Sequence, residues 1–94
     1  MIVNAMEEHV RAAYERLKGS VNGFVDTPAN RDDAVVYALN RLPPRYVLSP
    51  AGKAVTGASL DEPQQRTAID VKVIEAITRV TRQPRDAGGS YPRG

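Results

Sequence analysis

The sequence contains no cysteine and no tryptophan, and its one histidine is His9. Without cysteine there are no disulfides, thiolate metal sites or thiol nucleophiles. A serine nucleophile needs a histidine that a third group orients, and His9 is predicted on a solvated helix face. The carboxylates are not clustered like metal ligands, and the glycine motifs that cradle dinucleotides or phosphates are missing. We therefore expect no enzyme, no cofactor and no bound metal.

Long hydrophobic runs are also missing. No apolar stretch approaches the roughly 20 residues that cross a bilayer, and residues 1–10 lack the basic start of a signal peptide. These absences predict a cytoplasmic protein that does not interact with membranes.

The excess of positive charge is confined to one end of the chain. The formal net charge is +2, and residues 82–94 hold three arginines and one aspartate, so the rest is balanced at ten basic and ten acidic residues. DNA binding requires phosphate contacts on the folded body and is therefore not favoured. A DNA-binding tail stays open as a minor alternative. We expect one domain at residues 1–82 and a flexible basic tail at 83–94.

Three segments have the apolar periodicity of helices. The first helix is predicted at residues 3–18, with Asn4 able to cap it early and Gly19 ending the pattern. A second should begin between Asn30 and Asp33 and end by Leu42, because prolines follow. A third should begin near Ser59 and Pro63 and reach about Arg82. The predicted buried positions are Val3, Met6, Val10, Ala13 and Leu17 in the first helix; Ala34, Val35, Ala38, Leu39 and Leu42 in the second; and Ile69, Val73, Ala76, Ile77 and Val80 in the third.

Residues between the helices predict turns and short strands. Residues 19–30 are rich in turn formers, and Phe24 and Val25 are expected to pin this loop to the core. Residues 45–49 and 53–56 are interpreted as two short strands around a turn. The sequence thus predicts a mainly α fold, a compact domain of three to four helices with a minor short β-hairpin. A chain of 94 residues buries little surface, so a homodimer is expected.

The most informative stretch is DAVVYALNRLPPRYV, residues 33–47, which we call the double-proline segment. Pro43 and Pro44 fix the backbone direction in which Arg45 and Tyr46 leave the second helix. An arginine binds phosphate or a guanine edge through two parallel hydrogen bonds and stacks on bases, and a tyrosine adds a stacking face. Salt bridges to nearby aspartates would explain Arg41 and Arg45 equally well, and a stiff structural joint would explain the prolines.

Two stretches resemble the ComFB family of late competence development proteins. NAMEEHV, residues 4–10, is similar to the family's Asn-x-Met-Glu-x-x-Val pattern. The double-proline segment resembles the more specific pattern Asp-x-x-Ala-x-x-Leu-Asn-x-Leu-Pro-Pro-x-Tyr-Val. It departs from this pattern in that Ala34 directly follows Asp33, and the alanine of the pattern falls near Val36 or Tyr37. The resemblance covers about residues 4–80.

The resemblance implies a function as well as a fold. Some family members hold zinc through cysteines between the first helix and the double-proline segment, which this chain cannot do. The zinc-less form is similar to relatives that act as dimeric receptors of c-di-GMP or c-di-AMP. Such a ligand needs arginines for phosphate or guanine and flat faces for stacking. The residues expected to bind it are Asp33, Asn40, Arg41, Arg45 and Tyr46, with Lys53 and Arg66 as weaker additions.

Two hypotheses follow. The leading one is a cyclic dinucleotide receptor that relays ligand binding to a regulatory protein partner, with a slight preference for c-di-GMP because an aspartate near an arginine suits guanine. The alternative is a regulatory or adaptor protein without a small ligand, acting in competence or pilus-linked pathways.

Overall fold

The computed structural model describes residues 2–48 and 62–83, which form three helices and one two-stranded sheet. In chain order the elements are β1 (Val3–Asn4), α1 (Ala5–Leu17), α2 (Pro28–Leu39), β2 (Tyr46–Val47) and α3 (Pro63–Arg82). The predicted mainly α fold with a small sheet is confirmed. The predicted tail, from residue 84 onward, lies outside the described residues.

The N-terminus of α1 is set by Asn4, as predicted. Its extended backbone ends the strand, and its side-chain oxygen accepts a hydrogen bond from Met6 N at 3.1 Å. Such a cap satisfies one of the amide groups that the first helical turn leaves without partners. Val3 and Asn4 therefore belong to β1, and the predicted start of the helix at residue 3 was early.

The start predicted for α2 was late. The helix begins at Pro28, because the Thr27 hydroxyl accepts a hydrogen bond from Asn30 N at 3.1 Å and proline suits the first helical position. Asp32 and Asp33 consequently lie beyond the first turn, where they do little for the helix dipole. The other end agrees better with prediction. The helix ends at Leu39, before Pro43.

The hydrophobic core lies between the three helices, each of which packs against the other two. All the positions predicted to be buried in the third helix are buried in α3, and Pro63 occupies its first turn. In α2, Leu39 is only partly buried.

The prediction that Phe24 and Val25 pin the loop after α1 to the core was half right. The ring of Phe24 packs edge-on against Tyr14 at 5.9 Å between centroids, whereas Val25 is exposed. His9, predicted in solvent, is half-buried.

The small sheet joins two stretches that are distant in the sequence. β1 and β2 pair antiparallel, with Val3 opposite Val47 and Asn4 opposite Tyr46. The predicted strand at 45–49 therefore exists in shortened form, but its partner here is the start of the chain. The return strand predicted at 53–56 lies outside the described residues. Because of this pairing, the end of the double-proline segment is fixed beside the N-terminus of α1.

Candidate functional site

The double-proline segment is attached to the body at both ends. After α2 ends, the Leu42 side chain is nearly buried in the core, whereas Pro43 and Pro44 are exposed. Beyond the prolines, Ala5 N donates a hydrogen bond of 2.7 Å to the carbonyl oxygen of Arg45. The prolines therefore span the distance between the core anchor and the edge of α1, which makes them a stiff joint.

One side chain connects this joint to α1. Asn4 Oδ1, which caps the helix through Met6 N, also accepts a hydrogen bond of 2.9 Å from Arg45 N. This amide oxygen thus links the two sequence stretches that carry the family resemblance, residues 4–10 and 33–47, in addition to the backbone bond between Ala5 and Arg45.

A cation–aromatic cluster lies where α2 and α3 face each other at the surface. The guanidinium carbon of Arg41 is 3.5 Å from the centroid of the Tyr37 ring, and its Nη1 donates to the Tyr37 carbonyl at 3.3 Å. From α3, the Arg79 guanidinium carbon lies 5.4 Å from the same centroid. The Tyr37 hydroxyl donates to Glu75 Oε1 at 3.4 Å, and Lys72 contacts the other carboxylate oxygen at 3.3 Å. We call these five residues the Tyr37 surface.

The Tyr37 surface suits a flat, anionic ligand. It combines three cationic side chains with one carboxylate, and Arg41 is exposed while its guanidinium is held over the ring. A cation over an aromatic face is attracted by about 0.5–1 kcal/mol at an exposed site, and here the hydrogen bond to the Tyr37 carbonyl adds to it. The outer side of the guanidinium is thus prepared for stacking, and its edges can bind phosphate.

The predicted pair Arg41 and Arg45 is divided between two places. Arg41 folds back over its own helix, whereas Arg45 and Tyr46 are fastened to β1 and the start of α1. Tyr46 is 67% exposed. A depression of about 340 Å³ lies on this side, lined by Ile2, Val3, Asn4, Glu7 and Glu8. Its two carboxylates do not favour a dianionic ligand there.

The remaining predicted residues have different surroundings. Asp33 is only 8% exposed, although it is not among the buried positions predicted for the second helix. The helix α2 packs against two other helices, so more of its circumference is buried than a single apolar face. Asn40 is exposed at the end of α2. Arg66 is exposed in the first turn of α3, nine residues before Glu75 and thus about 13 Å away along the helix axis. Lys53 lies outside the described residues.

Of the five residues of the Tyr37 surface, sequence reasoning identified only Arg41 and missed the other four. Tyr37 and Arg41 stand four residues apart, which places them on one helix face, and this spacing could have indicated the stacked pair. Arg79 is separated from them by about forty residues of chain. No local pattern shows that it reaches the same ring.

A second polar cluster closes the loop between α1 and α2. The Tyr14 side chain is buried, and its hydroxyl donates to Asp26 Oδ1 at 2.5 Å, while Lys18 Nζ lies 2.9 Å from the other carboxylate oxygen. Burial, with the adjacent carboxylate, raises the pKa of Tyr14 well above its ordinary value. The hydrogen bonds from Lys18 and Tyr14 lower the pKa of Asp26. Both charged partners are partly solvated, so this cluster serves to fasten the loop.

Comparisons with known proteins match almost the whole chain. The family model described as "Late competence development protein ComFB" matches residues 3–84. This chain belongs to the ComFB family. Comparison with curated proteins gives no match. The fold is similar to the solved structure of the late competence protein ComFB from Bacillus subtilis, with a TM-score of 0.84 and 26% sequence identity over 93% of this chain and 96% of that one.

Membership in ComFB makes this a competence-related protein. Among residues 2–48 and 62–83, no helix is long and apolar enough to span a bilayer. The same residues contain no group of three or more side chains suited to hold a metal ion.

Proposed function

We propose that this ComFB protein is a receptor for a cyclic dinucleotide, c-di-GMP or alternatively c-di-AMP, and relays ligand binding to a regulatory protein partner. The observation that supports the proposal is the stacking of the Arg41 guanidinium on Tyr37 at an exposed residue, with Arg79 beside the same ring. Purines stack on such a plane, and the phosphates of the ligand require cations nearby.

The proposed contacts follow from this geometry. One purine stacks on the face of the Arg41 guanidinium that is turned away from the Tyr37 ring. Arg79 and Lys72, both on α3, supply positive charge for a phosphate. Because Tyr37 already orients Arg41, less conformational freedom is lost when the ligand binds. Stacking of a base on an aromatic ring contributes about 1–3 kcal/mol, and arginine adds a cation–π attraction to such sites.

Isothermal titration calorimetry with both dinucleotides tests the proposal. Arg41→Lys keeps the charge but removes the plane, and should weaken binding about tenfold, the equivalent of about 1.4 kcal/mol. Arg11→Lys is the matched control, since Arg11 is paired with Glu7 on α1. If neither dinucleotide gives a heat of binding at high micromolar concentration, the receptor function is refuted.

The residues of the divided pair can be tested separately. Ligand binding raises the melting temperature by mass action, and Arg45→Ala is expected to abolish that rise if Arg45 reaches the ligand. If Arg45→Ala leaves the rise intact while Arg41→Ala removes it, the site is the Tyr37 surface alone.

The dinucleotide has two equivalent halves, which suits a symmetric dimer, so the proposal includes a homodimer. Light scattering with and without ligand measures its mass.

A second candidate function is a regulatory adaptor without a small ligand. It is favoured by the exposed apolar side chains of Ile2, Tyr46 and Leu48, which are 70%, 67% and 74% exposed at the small sheet. Apolar groups gathered at the surface are typical of protein interaction sites. This candidate predicts a partner whose binding does not change with either dinucleotide and is lost in Leu48→Ser.

A further inference from the structure

The connection between α1 and α2 contains an exposed Asn22–Gly23 dipeptide. Phe24 N donates to the Val21 carbonyl at 3.3 Å, which closes a four-residue turn around it. Gly23 has a φ of 89°, and no residue other than glycine has a positive φ in the described part of the chain. A hydrogen-bonded four-residue turn in which Gly23 alone of the two central residues has a positive φ matches the type II β-turn, which favours glycine at that position.

We propose that Asn22 is a site of spontaneous deamidation through a cyclic imide. The backbone nitrogen of Gly23 loses its proton to base and attacks Cγ of Asn22. A bond forms between that nitrogen and Cγ, the bond from Cγ to the side-chain nitrogen breaks, and ammonia leaves. Water then opens the ring at either carbonyl, giving aspartate or isoaspartate. Water is the only co-reactant, and nothing is oxidised or reduced.

The turn leaves the attacking nitrogen accessible. Among the described residues no acceptor is found for the N–H of Gly23, and glycine has no Cβ to obstruct the approach of Cγ. The attack requires the peptide between Asn22 and Gly23 to rotate. Type I and type II turns differ by this rotation, and both keep the closing hydrogen bond. The reaction can therefore proceed from a folded chain.

The other asparagines provide internal controls. None of them precedes a glycine, and each lies in or at the end of a helix; they are Asn4, Asn30 and Asn40. Two of their side chains are also held, since the amide oxygen of Asn4 accepts two hydrogen bonds and the amide nitrogen of Asn30 donates to the Val25 carbonyl at 2.9 Å. Modification should be confined to Asn22.

The isoaspartate product should loosen the loop. It inserts one extra backbone carbon between Asn22 and Gly23, in a turn whose flanking residues Val21 and Phe24 pack against the core. The contact of Phe24 with Tyr14 depends on the length of that turn. Purified isoaspartate protein is therefore expected to melt at a lower temperature than the fresh protein.

Peptide mapping by mass spectrometry tests the proposal on the full-length folded protein, incubated in mildly alkaline buffer because base generates the nucleophile. We expect aspartate and isoaspartate to accumulate at Asn22 and not at the other three asparagines. Asn22→Gln keeps an amide but requires a larger, slower ring, and should remain unmodified. The proposal is overturned if folded protein keeps Asn22 intact while the denaturant-unfolded protein is modified there, or if another asparagine reacts first.

Discussion

Replacement of Asn4 by alanine should destabilise the protein through one oxygen atom with two roles. That oxygen accepts from Met6 N at 3.1 Å and from Arg45 N at 2.9 Å. Loss of a helix cap costs about 0.5–2 kcal/mol, and loss of a neutral hydrogen bond about 0.5–1.5 kcal/mol. The Arg45 amide is at the surface, where water replaces part of what is lost, so we expect a total of about 1–3 kcal/mol.

Urea unfolding followed by circular dichroism measures this effect. A loss of 1 kcal/mol lowers the melting temperature of a domain this size by about 4–8 °C, so Asn4→Ala should melt on the order of 10 °C lower. Asn4→Asp retains an acceptor oxygen and should stay within about 0.5 kcal/mol of the parent protein. Asn40→Ala, at the exposed end of α2, is the matched control and should change little. An Asn4→Ala protein as stable as its parent would contradict the assigned double role.

Three further predictions concern stability. Ile77 lies in the core with no exposed surface. Ile77→Ala should lower the free energy of unfolding, measured with urea, by about 2–5 kcal/mol, and Ile77→Val by about 0.5–1.5 kcal/mol. Equal losses in the two variants would contradict a tightly packed site. Asp26→Asn should destabilise at neutral pH, because hydrogen bonds from Lys18 and a tyrosine hold the Asp26 pKa below its ordinary 3.8. A lowered pKa contributes stability above the ordinary value, and this is lost as the pH falls through the folded pKa, so the difference between variant and parent should shrink in acid; a difference independent of pH would refute this. Arg16 contacts Asp70 at 2.8 Å across α1 and α3; since both are partly solvated, a double-mutant cycle should give no more than about 1 kcal/mol.

Local sequence patterns predicted much of the fold because the responsible interactions are local. The capping by Asn4, the stop before Pro43 and the buried stripe of α3 depend on residues within one or two helical turns. Of the two errors in α2, one has a local cause and the other a tertiary cause. The predicted start of α2 is late because acidic residues such as Asp32 and Asp33 favour a helix N-terminus, whereas the actual start is set by the Thr27 cap and Pro28. Asp33 lies outside the apolar face predicted for α2 but is buried, because the helix packs against two neighbours.

The candidate site was only half accessible to sequence reasoning. Arg41 was identified by its residue type, and its ring partner Tyr37 stands at a recognisable helical spacing. The Arg79 contact depends on how α2 and α3 cross, and the separation of Arg45 from Arg41 depends on the pairing of β2 with β1. Neither relationship has a local sequence signal.

By itself the sequence determined the helices, the rigid exit at the double proline, the absence of cysteine chemistry and the resemblance to ComFB, because each of these depends on residue types and short spacings. Only the tertiary structure decided that the Asn4 side-chain oxygen links the two family stretches, that Asp33 is buried, and that Arg79 reaches the same ring as Arg41. The reason is physical. These contacts form between segments distant in the chain, and their positions follow from helix packing and strand pairing, which no short window of sequence contains.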